Sequence, residues 1–63
     1  MPSPILKHFE CKHLSFSDRP IAKPFADLAG IMDSLLPDGP EKSAGLRKLL
    51  ESLDCMIRAA TNP

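Results

Sequence analysis

The chain has 63 residues, with eight basic and eight acidic side chains in balance, so no global field draws it onto duplex nucleic acid or an anionic membrane. Its uninterrupted apolar runs are only a few residues long, which excludes a transmembrane helix. One domain of this size buries only about 60 % of the surface that its unfolded form exposes, and two isolated cysteines, Cys11 and Cys55, make no disulfide framework that would compensate.

With no secretory signal ahead of the domain, the expectation is a cytosolic protein whose thiols stay reduced, a single Cys11–Cys55 bridge being the only pairing open to it. The charge is mildly uneven: residues 1–23 hold four basic groups against two acidic ones, and residues 24–63 hold four against six. That leaves room for a small anionic ligand near the first segment and disfavours a polyanion.

Residues 1–17 lack helical periodicity, and Pro2, Pro4, Ser15 and Ser17 predict an irregular or extended segment. Ile5, Leu6, Phe9, Leu14 and Phe16 make it too apolar for a solvated tail, so it is expected to pack across the rest of the chain or onto a neighbouring subunit. His8, Cys11 and His13 fall close together and carry zinc-ligand chemistry, but a structural zinc site takes four ligands. Only Cys55 or a second subunit could supply the fourth. The plainer reading is a partly buried cysteine beside surface histidines, with no metal.

Residues 18–61 read as a helical hairpin. A first helix over about 20–36 carries the stripe Ile21/Phe25/Leu28/Met32/Leu35, with Ser17 or Asp18 as N-cap and Pro20 in the first turn. Pro24 predicts a kink or a later start, and Gly30 is a local weakness of up to ~1 kcal/mol or a point of close approach for another helix. After the turn Leu36-Pro37-Asp38-Gly39-Pro40, a second helix over about 40–60 carries Leu46/Leu49/Leu53/Met56/Ala60, widened by Leu50 and Ile57. Arg47, Glu51, Asp54 and Arg58 mark its outer face, with Asp54 and Arg58 oriented for an i,i+4 pair.

Two helices of this length give each other one contact face and enclose no core. The expected architecture is therefore all-α: a two-helix antiparallel hairpin with an irregular N-terminal segment, assembling as a homo-oligomeric helical bundle. No glycine-rich phosphate loop, nucleophile motif or carboxylate pair in an evident pocket accompanies it, so an enzyme is not expected and no cofactor is implied. A helix-turn-helix DNA reader is disfavoured because that motif uses a third helix and the second helix here is as acidic as it is basic.

Lys23, Arg47, Lys48 and Arg58, taken singly, read as solvated or in surface pairs. In an oligomer, symmetry gathers copies of one residue, and a ring of lysines or arginines around a shared pocket makes an anion site. His13 and Phe16 carry rings that can stack on a base, although core packing is the simpler role for Phe16.

Helix 1 with Ile21-Ala22-Lys23 and Asp27-Leu28-Ala29, the proline-containing turn, and the pattern E-x-S-x-x-L-x-K-L spanning Glu41 to Leu49 resemble the small hairpin domain of phage anti-CBASS and anti-Thoeris sponge proteins, over about residues 19–60. Arg58-Ala59-Ala60 looks like the ending of actinobacterial and actinophage members. The resemblance implies a non-catalytic protein that sequesters a cyclic di- or trinucleotide immune signal between subunits of a helical homo-oligomer in the bacterial cytoplasm. It matches Lys23 to the phosphate-contacting lysine of the first long helix. His13, Phe16, Ser43, Arg47 and Arg58 complete the candidate ligand-binding set. The rival reading is a small oligomeric adaptor whose apolar faces grip another protein.

Overall fold

A computed structural model describes residues 4–10 and 14–62. Three elements follow one another: a 3₁₀ helix over Pro4–Phe9, α1 over Arg19–Leu35 and α2 over Pro40–Thr61. The two long helices form a hairpin, and the 3₁₀ helix packs against both.

The first element corrects the expectation of an irregular segment. A proline at the first position of a helical turn loses no hydrogen bond, so Pro4 opens the 3₁₀ helix instead of breaking it. Residues three apart in a 3₁₀ helix eclipse one another, and Leu6 and Phe9, so spaced, both join the core. Phe9 is only 2 % exposed and is the largest fully buried side chain. The segment thus packs across the hairpin of the same chain.

α1 starts ahead of Pro24 and runs through it. No side chain caps its start. The backbone does so, with the Ser15 carbonyl accepting from the Asp18 and Arg19 amides and the Asp18 carbonyl accepting from Ile21 and Ala22. Pro20, at the second position, has no amide to leave unpaired. Arg19 Nε also donates to the Leu14 carbonyl at 3.3 Å, holding the turn against the helix.

The contact between the helices differs from the one the large residues suggested. In α1 the buried positions are Ala22 and Ala29, seven residues apart, with Ala26 partly buried between them; they face Leu46 and Leu53 of α2. Leu28, Ile31, Met32 and Leu35 stay exposed, Leu35 at 69 %. Phe25 packs against the same core from the flank of the alanine stripe and Ile21 is half-buried, so of the large stripe it is the later residues, from Leu28 on, that turn outward.

Gly30 meets no close neighbour within the protomer: an added Cβ would have nothing within 4 Å. Since alanine is the better helix former, Gly30→Ala is expected to stabilise the protomer by about 0.5–1 kcal/mol. A thermal melt followed by circular dichroism checks this, and a lowered midpoint would mean that Gly30 serves a contact outside the protomer.

Candidate functional site

The turn between the helices is held by one lysine. Proline at the first position of α2 and Gly39 before it start that helix without a side-chain cap. One turn in, Lys42 points back across the connection. Its Nζ donates to the Asp33 carbonyl at 2.8 Å and the Leu36 carbonyl at 3.1 Å, and it pairs with the carboxylates of Asp33 at 3.0 Å and Asp38 at 2.9 Å. The side chains of Lys42 and Asp33 are only 7 % and 10 % exposed.

This arrangement places a cation at the carboxyl end of α1, where the helix dipole is negative, and α1 has no basic residue of its own in its last turn. Donation to the Asp38 carboxylate, then to that of Asp33, raises the Lys42 pKa above its ordinary value against the opposing effect of burial.

Beside this latch, the two helices leave an open apolar groove of about 580 Å³, lined by Leu28, Met32 and Leu36 from the α1 side and by Gly45, Leu46 and Leu49 from α2, with Glu41, Lys42 and Pro37 at the turn end. None of the 3₁₀ helix reaches it.

The five described sequence candidates, Phe16, Lys23, Ser43, Arg47 and Arg58, do not line this groove. His13 is outside the described residues, as is Cys11, so the proposed histidine–cysteine cluster is too. Phe16 stands 88 % exposed in the turn before α1, and not in the core. Lys23 is exposed in the second turn of α1 and bonds the Asp27 carboxylate one turn on. Ser43 and Arg47 are exposed, one turn apart near the start of α2. Arg58 is exposed near its end, where its Nη2 lies 3.3 Å from Cys55 Sγ. That contact replaces the anticipated pair with Asp54. Ser43 and Arg58 are roughly 22 Å apart along one helix at ~1.5 Å per residue, so the described candidates divide between the two ends of the hairpin.

Periodicity places Leu28, Met32, Leu46 and Leu49 on the two apolar stripes, and gives no sign that they leave a groove between them. Among the described residues no group of three histidine, cysteine or acidic side chains is placed to hold a metal ion, and no helix is long and apolar enough to cross a membrane. Cys55 carries a free, exposed thiol. Comparisons with protein-family models, with curated proteins and with solved structures find no match to this chain.

Proposed function

We propose that this protein sequesters a cyclic di- or trinucleotide immune signal, without cleaving it, in sites shared between protomers of a cytoplasmic homo-oligomer. The observation that carries the reading is the division of the candidate ligand contacts between the two ends of the hairpin. A ligand with two or three phosphate charges that touches Lys23 and Phe16 at one end and Ser43 or Arg47 at the other needs a second protomer to bring those ends together.

The exposed side chains suit the chemistry. Phe16 offers an aromatic face to a base. Lys23 would exchange the Asp27 carboxylate for a phosphate, and Arg47 and Arg58 can each contact a phosphate in two places. His13 would lie near a base. Binding without turnover removes the signal from the effector that it would activate, and it asks for no catalytic group.

Titration calorimetry against a panel of cyclic di- and trinucleotides, with native mass spectrometry of the same samples, tests this. The expected result is an oligomer that gains whole-number ligand masses. Lys23→Ala should weaken affinity about 10- to 100-fold, as befits one charge-assisted hydrogen bond, with the oligomer mass unchanged. Unaltered affinity would remove Lys23 from the site.

The exposed apolar groove favours a second reading, an adaptor that grips another protein. An oligomer that ignores the whole panel yet retains a stoichiometric protein partner would move the assignment there.

A further inference from the structure

The groove between α1 and α2 has no occupant within the protomer. Along its α1 wall Leu28, Met32 and Leu36 are continuous with exposed Ile31 and Leu35, while Ala22, Phe25, Ala26 and Ala29 pack into the core.

The pattern on α2 identifies the occupant. Glu41 and Lys48 are seven residues apart, two helical turns along one side, and carry opposite charges. Gly45 lies between them in the groove wall, where an added Cβ would meet nothing within 4 Å in the protomer. A two-fold axis beside Gly45 sets each of the two charges about 5 Å along the helix on opposite sides of the crossing point. An antiparallel second copy then brings its Lys48 to this Glu41 and its Glu41 to this Lys48. The missing side chain at Gly45 lets the two α2 helices approach. Because the chain has no net charge, two copies do not repel each other as wholes.

We infer that a second copy of this chain seats in the groove, its α2 crossing this α2 antiparallel at Gly45, so that Leu28, Met32 and Leu49 are covered and two Glu41–Lys48 pairs close the rim. This rests on the self-association in the reading above and is independent of nucleotide binding.

Sedimentation velocity over a concentration series tests it. Wild type should sediment as a dimer or an even-numbered multiple. Met32→Glu places a charge in the groove at a position already open to solvent, and should give a helical monomer by circular dichroism. Gly45→Gln, a better helix former, should weaken association at least tenfold while leaving the protomer as helical as before.

Glu41→Lys and Lys48→Glu, each setting like charges face to face twice per dimer, should each raise the dissociation constant about tenfold, and the double variant should restore it. A wild-type monomer at every concentration would overturn both this inference and the oligomeric reading above. An oligomer indifferent to Met32→Glu and Gly45→Gln would overturn this face alone. Failure of the double variant to restore association would overturn the antiparallel register.

Discussion

Phe9→Ala is expected to unfold the protomer near room temperature. Truncating a buried phenylalanine costs about 3–5 kcal/mol in lost transfer energy and residual cavity, and a single core in a chain this short rarely supplies more than ~3–5 kcal/mol in total. The buried set explains the leverage. It consists of Phe9, Ala22, Ala29, Leu46 and Leu53, so removing the one aromatic opens a hole that alanines on α1 cannot fill. Thermal and urea melts followed by circular dichroism would read the effect. Phe16→Ala is the matched control: at 88 % exposure its loss should change stability by no more than about 0.5 kcal/mol. A Phe9→Ala protein that melts within a few degrees of wild type would show that the 3₁₀ helix contributes nothing to the hairpin, since ~1 kcal/mol already moves the midpoint of so small a domain by about 4–8 °C.

The hairpin was legible because its punctuation is local. Pro37, Gly39 and Pro40 interrupt two apolar periodicities within a few residues, and the helices on either side fall where those periodicities do, over Arg19–Leu35 and Pro40–Thr61. Which side of α1 meets α2 was not legible. Ile21/Phe25/Leu28 and Ala22/Ala26/Ala29 have the same 4,3 spacing and differ by about 100° around the helix, so period alone does not choose between them. The small set is the more buried, with Phe25 of the large set packed at its edge and Leu28 exposed.

Pro4 misled in the same local way, being read as a breaker where it serves as the first residue of a turn. Lys42 gave no signal beyond the motif that contains it, because its two most buried acceptors, the carbonyl and carboxylate of Asp33, sit nine residues back and meet it only once the chain has reversed. The candidate ligand residues were chosen by resemblance and by charge. They are exposed and dispersed over one protomer, while the concave surface is apolar and composed of residues that looked like core.

Lys42→Met is the substitution that should most change how stability depends on pH. Methionine keeps much of the aliphatic stem that lines the groove and removes the ammonium, leaving the Asp33 carboxylate and the Asp33 and Leu36 carbonyls without that donor. Removing one partner from a buried pair is far more damaging than removing one from an exposed pair, because the remaining charge stays desolvated. Lys23→Met supplies the comparison, since its pair with Asp27 is open to water and should be worth no more than about 1 kcal/mol. The expected order of melting temperatures is wild type, then Lys23→Met close below it, then Lys42→Met far below both. The sign with pH follows from the direction of the shift. The folded-state pKa of Lys42 is raised above 10.5 by its hydrogen bonds to Asp38 and Asp33, so its stabilising contribution is complete below pH 10.5 and is lost as pH rises through the raised value. The gap between wild type and Lys42→Met should therefore be constant through neutral and mildly alkaline pH and should close only beyond about pH 10.5. A gap that is small at neutral pH, or that closes in acid while the carboxylates are still ionised, would mean that the turn is held by the Pro37–Pro40 backbone and not by the lysine latch.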